Sequence, residues 1–289
     1  MSRDAGPSPQ LRGILLVLAA TSVFALLDTV CKWLSQSYPV PMIVWARYLA
    51  QTLLMIAMLS PRMGMQWIRT RIPGMQIVRG LSLLAVSLVF LFSLSLMPIA
   101  ETTAISFMAP LILTALSVSL LGEHVRPSAW AAMIAGFIGV LIIVRPGGGL
   151  FTPMVIFPMT SALLFAIYQL LTRKIAGIDP TLTTLFYGTL IGTVILSFFV
   201  PFFWTKPHNL IDGLLFVLTG ILGGGGHFLL IRAFEHAPAS TLAPFMYFQL
   251  VVVSGLGFLV FDTFPDGWSL VGMAVIVLSG AWVASWHRR

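Results

Sequence analysis

The chain has 289 residues, of which 58% are hydrophobic and only 9% charged, with a formal net charge of +7 and a mean hydropathy of +0.99. A soluble domain carries about 25% charged residues, so this composition excludes an ordinary soluble globule and places most of the chain in lipid. One cysteine, Cys31, excludes an internal disulfide framework and a cysteine-based metal cluster.

A membrane-spanning helix needs roughly 20 predominantly apolar residues. Ten runs qualify when Gly, Pro and short charged clusters are taken as breaks: Leu11 to Gln36, Val40 to Ser60, Pro73 to Met97, Ile99 to Leu121, Ser128 to Arg145, Thr152 to Thr172, Thr181 to Phe203, Leu210 to Ala237, Ser240 to Asp262 and Trp268 to Trp286. The first run, behind Arg3 and Arg12, is too long for a secretory leader. It also continues into Asp28 and Lys32 without a clear small-residue cleavage site, so it reads as helix one. The expected fold is an all-α polytopic membrane protein with ten transmembrane helices. The connections are short, so any function is housed among the helices.

Basic residues set the expected orientation. With a cytoplasmic N-terminus, the loops on that side hold Arg62, Arg69, Arg71, Arg126, Arg173, Lys174 and Arg232, and the tails add Arg3, Arg12, Arg288 and Arg289. The opposite loops hold only Arg145 and Lys206. Both termini are therefore expected in the cytoplasm. An anionic inner leaflet accounts for the positive charge, which leaves the lipid bilayer as its partner and no call for nucleic acid.

Sliding the chain on itself by about 140 residues brings landmarks into register. Phe24-Ala25 meets Phe165-Ala166, Asp28 meets Gln169, Lys32 meets Arg173, Pro39 meets Pro180, Gly80 meets Gly220, Ser87 meets His227 and Pro98 meets Pro238. Residues 1–146 and 147–289 are thus expected to be two five-helix repeats. An odd number of helices makes the second copy enter from the other side, so the repeats are inverted, which is the logic of secondary transport.

The stretch PIAETTAISFMAPL followed by LGEHVRPSAW, and the later GGGGHFLLIRAFEHAPASTLAPFMYFQL, resemble the EamA-type transporters of the drug/metabolite transporter superfamily across nearly the whole chain. The Gly-rich segment ending in His227, Tyr247 and Pro265-Asp266 look most like the branch that includes S-adenosylmethionine and riboflavin carriers. One departure stands out: where the second half of such proteins usually repeats Gly122-Glu123, this chain has Phe261-Asp262.

Ionisable groups inside spans are the default functional candidates. Asp28, Lys32, Arg47 and Glu101 fall at one membrane level. Asp28 and Lys32 stand four apart on one face of helix one and are able to pair. An unpaired Arg at the bilayer centre costs roughly 2.5 to 3.5 kcal/mol on insertion scales. The four therefore read either as an ion-pair network closing the outer end, or as a gate and anchor in which Arg47 or Lys32 meets an anionic substrate group.

His227 follows Gly223 to Gly226, a run suited to close helix approach or to a cavity wall. Its near-neutral pKa suits a coupling proton, and hydrogen-bonded packing is the alternative. Pro110 and Pro244 are expected to kink helices four and nine at matching places, a pointer to a binding site. Around that depth fall Phe107, Tyr168, Gln169, Tyr187, Tyr247 and Gln249. Rings and amides suit a flat heteroaromatic or cationic organic solute. Tyr168, Gln169, His227 and Tyr247, with Phe107 and Gln249, are the expected substrate contacts. Glu123, His124 and Arg126 in a loop, and Arg79 at the start of helix three, are assigned to topology and capping.

These observations favour a secondary transporter of a small organic metabolite by alternating access in a bacterial inner membrane, with possible proton coupling and no cofactor or metal. The alternatives are a non-transporting receptor or assembly factor and, within transport, an amino-acid or drug exporter. The chain has no GxxxxGK phosphate-binding loop, and no HExxH helix or elbowed serine that would suggest an ATPase or an intramembrane enzyme.

Overall fold

The structure is a computed structural model describing residues 8–64, 66–121, 127–145, 153–262 and 267–286. These form twelve α-helices: α1 (Pro9–Leu34), α2 (Val40–Met63), α3 (Pro73–Leu96), α4 (Ile99–Ser106), α5 (Ala109–Leu121), α6 (Pro127–Val144), α7 (Ile156–Lys174), α8 (Thr181–Phe199), α9 (Leu210–His236), α10 (Ala239–Met246), α11 (Phe248–Phe261) and α12 (Gly267–Trp286). No strand occurs among the described residues. Among the described residues, eight segments are long and apolar enough to cross a membrane, including one running through α4 and α5 and one from Pro244 to Phe261. A closed set of helices satisfies its own backbone groups without water, which is what a lipid-embedded chain requires.

Local sequence places the helix ends. Ser8 accepts a hydrogen bond from the Leu11 amide at the start of α1, and Asn209 does the same for Asp212 at the start of α9. Proline precedes α2, α4, α8 and α10, at Pro39, Pro98, Pro180 and Pro238. Gly64 ends α2 at φ 61°, a left-handed conformation cheap only for glycine.

The expected fourth and ninth helices are each interrupted rather than kinked. Pro110 cannot return an amide hydrogen to Ser106, so α4 stops there and the chain passes through a tighter turn at Phe107 and Met108 before α5. In the later segment, Pro244 lies inside α10, and the interruption comes at Tyr247.

Helix α1 runs antiparallel to α9. Tyr38 meets Asp212 at one end (Oη to Oδ2, 2.7 Å), and at the other end Gly13 lies against Ala237 so closely that an added Cβ would sit 3.0 Å from the Ala237 methyl. Lys32, near the Tyr38 end, donates to the carbonyls of Leu94 and Met97 (3.0 Å to the latter) where α3 finishes. Arg173, near the Gly13 end, donates to the carbonyl of Phe234 (2.8 Å) in the last turn of α9. Cations suit both places because the last carbonyls of a helix are unpaired and carry partial negative charge. Lys32 and Arg173 match in the sequence repeat, as do Leu94 and Phe234, so the same contact recurs at opposite ends of the bundle.

Packing follows the same exchange of halves. Helix α1 packs on α9 and on α10 and α11, as α7 packs on α3 and on α4 and α5; α2 meets α9 as α8 meets α3; α2 pairs with α8 and α6 with α12. Gly80 of α3 lies against Tyr187 and Ile191 of α8, and Gly220 of α9 lies against Arg47, Ala50 and Gln51 of α2. Both glycines let a helix approach where a side chain has no room.

Candidate functional site

A cavity enclosing about 870 Å³ of empty space, counting its open mouth, lies where the exchanged halves meet. From the first half, Thr21, Phe24, Leu27 and Asp28 of α1, Arg47 of α2, Leu83, Val86, Ser87 and Phe90 of α3, and Thr103, Ser106, Phe107 and Ala109 at the α4–α5 interruption form its wall. Ser161 and Phe165 of α7, His227 and Leu230 of α9, Met246 of α10 and Gln249 of α11 complete it. The wall is mostly apolar, with few polar groups, a composition that gives affinity through burial and orientation through hydrogen bonds.

Asp28 accepts a hydrogen bond from Gln249 Nε2 at 2.7 Å, joining α1 to α11 across the cavity. Arg47 stretches over Tyr48, its guanidinium carbon 5.0 Å from the ring centroid, with its stem against Gly223. Tyr48 Oη donates to the Leu83 carbonyl (3.0 Å) and lies 2.6 Å from Ser87 Oγ on the cavity wall. His227 is bracketed by rings, edge-on to Phe24 (centroids 4.9 Å apart) and to Tyr168 (5.6 Å), and its Nδ1 is 3.2 Å from Tyr168 Oη.

The glycine run serves close approach. An added Cβ would meet the Phe24 ring at 2.5 Å from Gly226, the Gln51 side chain at 3.2 Å from Gly224, and Arg47 at 3.4 Å from Gly223. These glycines let α9 sink between α1 and α2, and that depth carries His227 to the cavity.

Of the residues expected from sequence, Phe107, Gln249, His227, Asp28 and Arg47 stand on the cavity wall. Tyr168 stands one layer behind, reaching the cavity through His227. Tyr247 is fully buried behind Phe107, with ring centroids 5.4 Å apart. Gln169 is buried with both amide atoms lacking a hydrogen-bond partner among the described residues and does not line the cavity. Tyr187 is half-buried in a separate apolar cluster with Phe186 and Trp67.

The polar pairing differs from that expected. Lys32 turns from Asp28 to the end of α3, because the Leu94 and Met97 carbonyls there attract its ammonium, and Asp28 is taken by Gln249. Among the described residues the salt bridges are His208–Asp212 and Arg232–Glu235, so Arg47 and Asp28 share the cavity without touching. The side chains of Glu101 and Pro110 lie outside the described residues, as do Glu123, His124, Arg126 and Pro265-Asp266.

Arg79 is the residue that sequence reasoning missed. Rather than capping the start of α3, it is completely buried, donating from Nε to Thr172 Oγ1 (2.8 Å), from Nη1 to the Thr184 carbonyl (2.9 Å) and from Nη2 to Tyr168 Oη (2.7 Å). Its guanidinium carbon also lies 4.8 Å from the Tyr168 ring centroid. The available signal was spacing: Gln76, Arg79 and Leu83 stand three and four apart on one face of α3, and all three are buried.

The profile of the EamA-like transporter family matches residues 11–145 and again residues 152–285. The chain is 30% identical over 214 residues to an S-adenosylmethionine uptake transporter of Rickettsia bellii, covering 74% of this chain and 73% of that protein. It is 29% identical over 285 residues to a riboflavin transporter of Vibrio cholerae (96% and 95% covered) and 25% identical over 271 residues to a pseudopaline exporter of Pseudomonas aeruginosa (92% and 94%). A crystal structure superposes with a TM-score of 0.78 at 21% identity, covering 97% of this chain and 99% of that one, which shows a shared fold. With the family profile matching both halves of an all-helical, multi-pass membrane protein, the chain belongs to the EamA-like transporter family.

Proposed function

We propose that this protein is a secondary transporter of a small organic metabolite, a carrier rather than a catalyst, that exposes the central cavity to each side of the bacterial inner membrane in turn. In this reading α4 with α5, and α10 with α11, each form one interrupted span. The chain then has ten transmembrane helices in two inverted five-helix repeats, residues 1–146 and 147–289, with both termini cytoplasmic. The observation that carries it is the cavity itself: its wall is drawn from both halves at the interruption of α4 and α5 and beside that of α10 and α11. Interrupted helices at matching places line the sites of many inverted-repeat carriers.

In this proposal Phe107, Phe24 and Phe165 hold the apolar body of the solute, and Asp28, Gln249, Arg47 and His227 meet its polar groups. Tyr168, Gln169 and Tyr247 support that wall from behind. Asp28 is the titratable acid on the wall and the group that couples movement to a proton gradient. The names of the relatives favour metabolites of nucleoside or amino-acid type, for which rings and paired charges are suitable partners.

Uptake of radiolabelled S-adenosylmethionine, riboflavin and amino acids into proteoliposomes, with and without an imposed proton gradient, tests the proposal. Saturable uptake of one of them, lost in Phe107→Ala, is expected. Tight binding of such a compound by well-folded protein without any movement across the membrane would favour a receptor.

A further inference from the structure

We propose that Arg79, acting through Tyr168, holds His227 as a neutral imidazole with its proton on Nε2, so that His227 and Arg47 form a donor-only subsite for an anionic oxygen group, a carboxylate, of the solute. This inference rests on the cavity being the solute site.

A guanidinium has five N–H donors and accepts nothing, so the 2.7 Å contact from Arg79 Nη2 fixes Tyr168 Oη as its acceptor. The one proton on Tyr168 Oη then needs an acceptor of its own. Thr172 Oγ1 already receives from Arg79 Nε and has given its own proton to the Tyr168 carbonyl (2.8 Å), so it offers only a second, shared lone pair. His227 Nδ1, at 3.2 Å, lies in hydrogen-bond geometry with Tyr168 Oη and has a whole lone pair to give. If His227 instead donated from Nδ1, the fully buried phenol oxygen would take two donors and its own proton would be left with that shared lone pair alone, a poorer arrangement in a buried network. Nδ1 is therefore an acceptor and carries no proton, and the neutral ring bears its proton on Nε2.

Charge reinforces the assignment. Among the described residues, the charged or titratable groups that act on His227 are Arg47 from α2, with Tyr48 beside it, Arg79 from α3 and Tyr168 from α7. Asp28 from α1 shares the cavity, bound to Gln249. Both formal charges closest to the ring are positive, and no described carboxylate is in salt-bridge contact with His227, Arg47 or Arg79. A third positive charge on His227 is disfavoured by both arginines. The polar wall on this side consequently offers guanidinium N–H groups and an imidazole N–H, a set that matches carboxylate lone pairs. Arg47 is itself nine-tenths buried and faces the cavity with no carboxylate in contact among the described residues. Arg79 and Tyr168 do not touch the solute in this scheme and are positioning residues.

The test is ¹⁵N NMR of the full chain labelled at histidine, in micelles, with His227→Gln used to assign the signal. The expected result is a bare Nδ1 and a protonated Nε2 that do not change from about pH 5 to about pH 9, although an unperturbed histidine titrates within that range. Tyr168→Phe should release the tautomer, giving a mixed or titrating signal. Thr172→Val, which loosens Arg79 without altering Tyr168, should do so in part and serves if Tyr168→Phe fails to fold. Titration near neutrality in the wild type, or a protonated Nδ1, overturns the assignment.

The subsite is tested in the same sample with short amino acids, 2-oxo acids and the matching amides. At least one acid should move the Nε2 signal while its amide leaves it in place, and Arg47→Gln should abolish the response. No response to any acid, or an equal response to the amide, overturns the carboxylate subsite. Failure of transport in proteoliposomes, with these signals intact, would instead count against alternating access and leave the subsite standing.

Discussion

Phe107 and Tyr247 meet ring to ring, 5.4 Å between centroids and 39° between planes, at the interruptions of the two broken spans. Each is the residue at which a helix stops, and their contact ties the two interruptions together beside the cavity. Phe107 faces the cavity, whereas Tyr247 is wedged against α6, where a Cβ on Gly136 would come within 2.8 Å of its ring.

This layering separates two mutations. The Tyr247 hydroxyl reaches only a long 3.5 Å contact with the Met133 carbonyl, so Tyr247→Phe should cost under about 1 kcal/mol and leave ligand binding nearly intact. Tyr247→Ala removes a buried ring and should cost about 3 to 5 kcal/mol. Thermal unfolding in detergent, paired with ligand binding by Phe107→Ala, checks the distinction. Phe107→Ala should lose binding with a smaller loss of stability, and the reverse ranking would contradict the geometry.

Gly80 and Gly220 hold matching places, yet their surroundings differ in hardness. A Cβ on Gly80 meets first the Cδ1 end of Ile191 at 2.5 Å, a tip that is able to rotate away, and then Ile191 Cβ and the Tyr187 carbonyl at 3.1 Å, contacts that need a shift of only a few tenths of an ångström. A Cβ on Gly220 meets the Ala50 methyl at 2.7 Å and the backbone of Arg47 and Gln51, each at 2.9 Å. Gly220→Ala should therefore destabilise by about 1 to 3 kcal/mol through overpacking. Gly80→Ala should be closer to neutral, since alanine recovers about 1 kcal/mol of helix propensity. Side-by-side thermal midpoints decide it.

Asp179 ties the α7–α8 connection to the segment before α3, accepting from Thr70 Oγ1, from the Arg71 amide (2.9 Å) and from Gln76 Nε2 (2.9 Å). Burial alone raises a carboxyl, but these donors outweigh it, and Asp179 is held below its ordinary value of 3.8. The ionised form is the one the fold favours, so its contribution is present above pH 3.8 and is lost as pH falls through the lower folded value. Asp179→Asn should cost about 1 to 3 kcal/mol at neutral pH. The gap to wild type should narrow in acid, and a gap that widens there would refute the network.

The orientation is testable because Cys31 is buried and is the chain's only cysteine. In a Cys31→Ser background, Ser37→Cys, at the exposed Tyr38 end, should label from outside intact cells with an impermeant maleimide. Lys174→Cys, exposed at the opposite end, should label only after permeabilisation. The opposite pattern would place both termini outside.

Hydropathy was enough to determine an all-helical membrane protein, and the positions of proline and glycine were enough to place many of its helix ends. Both follow from local chemistry: an apolar run must be helical in lipid, and a proline or glycine acts on the backbone where it stands. The places where spans four and nine give way were legible for the same reason, and Asp28, Arg47, Phe107, His227 and Gln249 stood out singly as polar or aromatic groups inside apolar spans. Which partner each polar group takes was not. Lys32 and Asp28 are well spaced to pair along α1, yet the end of α3 claims the lysine and α11 claims the aspartate. Arg79, near the start of its span, looks like a capping residue until α7 and α8 fold over it and supply Tyr168, Thr172 and the Thr184 carbonyl. A helix fixes which residues share a face, but only the packing of other helices against that face decides which donors and acceptors meet in a medium where each must find one.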